Sequence, residues 1–107
     1  MRSVAQAVVE SLRDMGVRHV FGVPSGGLVD FMEALRTTEG IDFVLTAHEC
    51  PAGFMADVCG RLTNAPGVCF GTFGPGATNL ATGVGSAQYD RSPLIALTDE
   101  MPARLRN

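Results

Sequence analysis

Asp42-Phe43-Val44-Leu45-Thr46-Ala47-His48-Glu49-Cys50-Pro51-Ala52 is the stretch that decides the fold. After Asp42 it runs apolar through Phe43, Val44 and Leu45 to Thr46, the composition of a strand. From Ala52 to Leu62 the period changes, and Ala52, Met55, Cys59 and Leu62 recur on one stripe of a helix. A strand that runs directly into a helix is a βα unit. Near-continuous apolar strands alternating with helices imply a sheet covered on both faces, and hence a parallel one. Glu49 stands between the two elements. In open parallel α/β sheets ligands bind outside the carboxyl ends of the strands, so this acid is placed to face a ligand. A poorly solvated carboxylate can hold and hand over a proton near neutrality.

The same alternation extends outward. Upstream, Val4, Val8, Leu12 and Met15 recur at helical spacing, with Ser3 as cap and Gly16 as stop. A short strand, His19 to Val23, leads into the turn Pro24-Ser25-Gly26-Gly27, and a second helix follows on Leu28, Phe31, Met32 and Leu35. Downstream, Gly67 opens a strand over Val68 to Phe73, Gly74-Pro75-Gly76 breaks it, and Ala77 to Gln88 reads as a helix of small residues. Gly83 and Gly85 each cost that helix about 1 kcal/mol against alanine, which is tolerable where the helix lies close to a neighbour. Pro93 to Thr98 is a fourth strand. The expected architecture is α/β: a three-layer parallel sheet with helices on both faces, about four βα units and right-handed crossovers. A fourth strand with no helix after it leaves part of one sheet face uncovered. Residues 1–107 therefore read as a partial domain, truncated at its C-terminal end or completed by another chain.

Composition narrows the function classes. The 107 residues suffice for one small domain. Net charge is −3 without a dense Lys/Arg patch, so there is no nucleic-acid footprint. No apolar run approaches the ~18 residues of a membrane span, and Glu10, Arg13 and Asp14 interrupt the N-terminal apolar run too soon for a signal peptide. Three cysteines, Cys50, Cys59 and Cys69, form no C-x-x-C pair. They read as free thiols in a reducing, cytoplasmic setting, with Cys59 and Cys69 as packing residues.

Each motif has a plain alternative. Glu49 in the first turn of a helix also complements the macrodipole, worth about 0.3–1 kcal/mol, so position alone leaves both readings balanced. His48 is more often a packed or surface residue than a catalyst. Gly74-Pro75-Gly76-Ala77-Thr78-Asn79 approaches the dinucleotide fingerprint G-x-G-x-x-G but ends in Asn79, and Asp99 then stands where a ribose-binding acid would. The alternative is a tight turn with an anion-tolerant helix N-terminus. There is no P-loop, no Gly-x-Ser-x-Gly elbow and no paired zinc spacing. No metal ligand is assigned, and Ser25 reads as a turn residue.

Three motifs taken together resemble a known family. They are Phe21-Gly22-Val23-Pro24-x-Gly26; His48-Glu49 with Ala56-Asp57-x-x-x-Arg61; and Gly74-Pro75-Gly76-Ala77-Thr78-Asn79-Leu80. Their order and spacing are similar to the amino-terminal, pyrimidine-binding domain of thiamine-diphosphate enzymes, in the acetolactate synthase and 2-oxo-acid decarboxylase group. The resemblance runs from Val4 to Pro102. It implies that Glu49 contacts N1′ of the cofactor's aminopyrimidine and shares a proton there, favouring the 4′-imino tautomer that deprotonates the thiazolium carbon. It implies too that Pro24, Thr72 and Asn79 lie near the pyrimidine ring. Two departures touch substrate class: Cys50-Pro51 where Gln-Gly is frequent, and Asp57-Val58-Cys59-Gly60-Arg61 where Asp-Gly-Tyr-Ala-Arg is frequent. The family's Gly-Asp-Gly is absent. The diphosphate and Mg²⁺ are therefore expected on a partner domain or subunit, within a homo-oligomeric enzyme. The sequence leaves open a non-catalytic binding or regulatory domain, and a dinucleotide-binding module.

Overall fold

The computed structural model describes residues 1–106. In chain order it contains α1 (Val4–Asp14), β1 (His19–Gly22), α2 (Val29–Thr37), β2 (Asp42–Leu45), α3 (Glu49–Leu62), β3 (Gly67–Gly71), α4 (Pro75–Tyr89) and β4 (Leu94–Thr98). Single 3₁₀ turns lie at Gly26–Leu28 and Ala103–Leu105. The four strands pair in parallel in the order β2-β1-β3-β4. The chain steps outward from β1 to β2, returns past β1 to β3, and continues to β4. A constant crossover hand then puts the helices before and after the reversal on opposite faces, and the packing agrees.

Strand side chains alternate between two cores. Val20, Val68 and Phe70 point to one face, where they meet Val9 and Leu12 of α1 and Phe31 and Leu35 of α2. Phe21 and Cys69 point to the other, against Ala52 and Ala56 of α3 and Leu80 of α4. Phe70 fills the first core, with Phe31 edge-on at 5.5 Å between ring centroids and Phe43 at 5.7 Å. The parallel three-layer arrangement expected from the sequence is the one observed. Because the connections from β1 and β3 leave toward opposite sides, a crevice opens at the carboxyl ends of these neighbouring strands.

The helix faces differ from the sequence reading. In α1 the buried residues are Val9 and Leu12, with Ala5 packed behind them, while Val4, Val8 and Met15 of the expected stripe are exposed. In α3 the buried face is Glu49, Ala52, Gly53, Ala56, Asp57 and Gly60. Met55 looks outward, and Leu62 is 80% exposed. The cause is proximity. Gly67 of β3 lies so close to the Ala56 carbonyl that no Cβ fits there, so the residues of α3 at the points of closest approach are small and the larger apolar residues turn out. The helix also starts at Glu49, not Ala52, because His48 caps it: the Cys50 amide donates to His48 Nδ1 at 3.1 Å. Pro51 then falls in the first turn, where its missing N–H costs nothing.

Other boundaries move for local reasons. Gly16, at φ +96°, ends α1 in a Schellman turn: the Val17 amide donates to the Leu12 carbonyl at 3.1 Å and the Gly16 amide to the Arg13 carbonyl at 2.9 Å. Helix α4 starts at Pro75, two residues before the expected Ala77, after Gly74 at φ +77°. Strand β3 stops at Gly71 because the next residues turn toward Asp99. Strand β4 is half-exposed and borders an apolar hollow of about 180 Å³ lined by Ala77, Leu80, Ala81, Val84 and Leu97. Among the described residues no helix is long and apolar enough to cross a membrane.

Candidate functional site

Glu49 is the first residue of α3 and only 8% exposed. Asn79, one turn into α4, donates from Nδ2 to Glu49 Oε2 at 3.2 Å. The two residues are 30 apart in sequence, and a glycine contact brings them together. A Cβ at Gly53 would lie 2.9 Å from Gly83 Cα, and one at Gly83 would lie 2.8 Å from Gly53 Cα. One helical turn before Gly53 stands Glu49, and one turn before Gly83 stands Asn79. Backbone contact at the glycines sets the spacing and register of the two helices, and the hydrogen bond forms one turn nearer the crevice.

Glycines also let the end of β3 and the start of α4 pack closely against the carboxylate. A Cβ at Gly71 would lie 3.0 Å from Glu49 Cγ. At Gly76 it would lie 3.2 Å from Glu49 Oε1 and 3.0 Å from the Thr72 methyl. Thr72 and Glu49 thus flank the same point. Among the described residues Oε1 has no hydrogen-bond partner, whereas Oε2 has Asn79. Glu49 lies at the N-terminal end of α3 and beside that of α4, where the positive ends of both helix dipoles favour negative charge. The first-turn amides of α4 are largely taken by its own chain: Ala77 donates to the Thr72 carbonyl at 2.7 Å and Thr78 to the Gly74 carbonyl at 3.1 Å.

Two further groups hold the surrounding loops. Thr46 ties the β2–α3 connection, its amide donating to the Gly22 carbonyl at 3.1 Å and its hydroxyl to the His48 carbonyl at 2.8 Å. Asp99, beyond the end of β4, accepts from the Phe73 amide at 2.6 Å and from the Thr72 hydroxyl at 3.4 Å. Its carboxylate also lies where a Cβ on Gly27 would be. The sequence reading missed Thr46 and Gly71 and considered Asp99 only as a ribose ligand. A glycine at a strand end and a threonine just past one were the signals available.

Of the residues singled out from sequence, Glu49, Thr72 and Asn79 come together. Pro24 stands at the end of β1 on the same rim. It is exposed and lines a groove of about 960 Å³ between α2 and β2, together with Met32 and Phe43. Glu49, Thr72 and Asn79 are not part of that groove. His48 is a helix cap. Asp57 and Arg61 form an ion pair along α3, Arg61 Nη2 donating to Asp57 Oδ2 at 3.3 Å, with Asp57 1% exposed. All three cysteines are free, and burial pushes the Cys69 thiol up to about 11. Among the described residues no group of three or more His, Cys, Asp or Glu could hold a metal ion.

Residues 2–107 match the family described as thiamine pyrophosphate enzyme, N-terminal TPP binding domain. The chain is 47% identical over 105 residues to the acetolactate synthase isozyme 3 large subunit of Escherichia coli (strain K12), a match that covers 98% of this chain and 18% of that relative. It is 43% identical over 101 residues to a probable acetolactate synthase large subunit of Methanocaldococcus jannaschii, covering 94% and 17%. It is 39% identical over 104 residues to acetolactate synthase 3, chloroplastic, of Brassica napus, covering 97% and 16%. The chain thus spans less than a fifth of the length of these relatives. With nearly every residue inside the match and the expected parallel sheet beneath it, the chain belongs to the family of N-terminal TPP binding domains of thiamine pyrophosphate enzymes.

Proposed function

We propose that residues 1–107 are part of the pyrimidine-binding domain of an enzyme that uses thiamine diphosphate on 2-oxo acids, by decarboxylation or carboligation. The observation that carries the reading is the buried carboxylate of Glu49 at the carboxyl end of the sheet, half satisfied by Asn79 and packed closely against Gly71 and Gly76. A flat ring with a protonatable nitrogen fits that arrangement. One carboxylate oxygen is held by Asn79, and the other has no hydrogen-bond partner among the described residues. Glu49 holds and passes a proton at the ring nitrogen. Asn79 keeps the carboxylate in one orientation, Thr72 borders the ring, and Pro24 stands on the rim beside it. Bound thiamine diphosphate supplies the nucleophilic carbon that attacks the 2-oxo acid.

The chain lacks Gly-Asp-Gly. The diphosphate and its Mg²⁺ are therefore assigned to another domain or subunit of the same enzyme, assembled as a homo-oligomer in the cytoplasm. The name shared by the relatives, acetolactate synthase, favours carboligation over simple decarboxylation. The test is Glu49→Gln in the assembled enzyme, following exchange of the cofactor's thiazolium proton by NMR. Glutamine keeps the shape but cannot share the proton, and the expected loss is about 10²–10⁴-fold with the fold intact. Exchange at the wild-type rate would reduce Glu49 to a helix-start residue.

A further inference from the structure

We propose that Asp99 is a positioning residue for this site: a brace, anchored at the end of β4, that fixes the β3–α4 loop against the β1–α2 turn. The proposal rests on the pyrimidine-site reading above and goes beyond its residues. Asp99 is placed to brace because one carboxylate serves two loops. Oδ1 accepts from the Phe73 amide at 2.6 Å. Oδ2 accepts from the Thr72 hydroxyl at 3.4 Å and packs on Gly27, where a side chain of any size would displace it. With both oxygens engaged, Asp99 is an internal strut rather than a ligand for a ribose.

The brace matters because the chain can swivel beside it. Gly74, directly after Phe73, has φ +77°. The segment between Gly71 and Gly74 carries Thr72, whose methyl lies with Glu49 Oε1 against Gly76. The inner end of the segment is held where the Ala77 amide donates to the Thr72 carbonyl. Its outer end is held by Asp99. Without the carboxylate, Thr72 and Phe73 can turn about Gly74, and the wall beside Glu49 loses its set position.

The experiment compares Asp99→Ala, Asp99→Asn and Gly27→Ala with wild type and with Val9→Ala, which weakens the opposite core and leaves the loop alone. Two quantities are measured on the purified proteins: hydrogen exchange at the Phe73 amide without ligand, and affinity for thiamine diphosphate with Mg²⁺ in the assembled enzyme. Asp99→Ala should speed Phe73 exchange and weaken cofactor binding, each about tenfold, the size implied by one net hydrogen bond to a charged group. Gly27→Ala should do the same by displacing the carboxylate. Asp99→Asn keeps the acceptor for Phe73 and should recover most of both. Val9→Ala should lower stability and change neither. Unchanged Phe73 exchange in Asp99→Ala overturns the brace. Faster exchange with wild-type affinity overturns its role at the site, as does an affinity loss in Val9→Ala equal to that in Asp99→Ala. A wild-type enzyme that binds no thiamine diphosphate sinks the site reading itself, and the exchange data then decide the brace alone.

Discussion

Gly83→Ala and Gly85→Ala make the same chemical change two residues apart on one helix, and they should move stability in opposite directions. Both variants gain helix propensity, about 1 kcal/mol each. At Gly85 an added Cβ meets nothing within 4 Å, so the gain stands. At Gly83 it would lie 2.8 Å from Gly53 Cα, 2.9 Å from the Gly53 carbonyl carbon and 3.0 Å from the Cys50 carbonyl oxygen. Comfortable carbon contacts are roughly 3.5–4.0 Å, so α3 and α4 must part by about 1 Å. All three obstructing atoms are backbone, and no side-chain rotation relieves them. Overpacking of this kind costs typically about 1–3 kcal/mol. The propensity gain is common to both variants and cancels, so their difference measures the overpacking alone. In a domain of this size each kcal/mol shifts Tm by about 4–8 °C. Urea titration and thermal melts of the two purified variants give the comparison. Parting the helices should also lengthen the Asn79–Glu49 hydrogen bond one turn away, so Gly83→Ala should weaken cofactor binding where Gly85→Ala does not. Equal stabilities for the two variants would refute the claim that backbone contact between α3 and α4 sets their spacing.

The remaining predictions concern the ends of the helices, the thiols and the cofactor. His48→Ala removes the α3 cap and should cost about 0.5–2 kcal/mol in denaturant unfolding, while His48→Asn, a good capping residue, should restore most of it. Cys69 should resist a disulfide reagent at pH 8 in the native protein, whereas Cys50 and Cys59, both half-buried, should react. Because burial raises the Cys69 thiol to about 11 in the folded chain, the unfolded chain loses this proton first, near pH 8.5–9. Stability linked to Cys69 is therefore full below about pH 8.5 and falls through pH 11, by at most about 1.4 kcal/mol per pH unit. The alkaline slope should shrink in Cys69→Ala. Calorimetric titration of the 107 residues alone with thiamine diphosphate and Mg²⁺ should show no tight binding, and the same sample should show no 2-oxo-acid turnover. Pyrimidine contacts without a diphosphate clamp must still offset several kcal/mol of lost rigid-body freedom, so micromolar affinity with turnover would show a complete site within these residues.

What the sequence alone determined is the class of fold and the place of Glu49 between a strand and a helix. Apolar runs such as Val68–Phe70 and the helical stripes between them are local signals, written within a few residues of one another. Alternation of the two was enough to predict a parallel, doubly covered sheet. Glu49 was legible as a candidate because it falls at a strand-to-helix boundary, and the family resemblance grouped it with Pro24, Thr72 and Asn79. Only the tertiary structure decided which faces are buried and what each polar group holds. Met55 and Leu62 suggested the inward stripe of α3 by their hydrophobicity, yet Ala52, Gly53 and Ala56 lie on it, because β3 and α4 approach the α3 backbone too closely at these points for large apolar side chains. That distance is a property of three elements at once and has no signature in any one of them. The same holds for the Asn79–Glu49 hydrogen bond across 30 residues and the Phe73–Asp99 hydrogen bond across 26. Sheet order brings β4 beside β3 and so carries Asp99 to the loop it holds. Local periodicity encodes the elements, whereas the spacing between them, and with it the geometry around Glu49, is set by which backbones can touch.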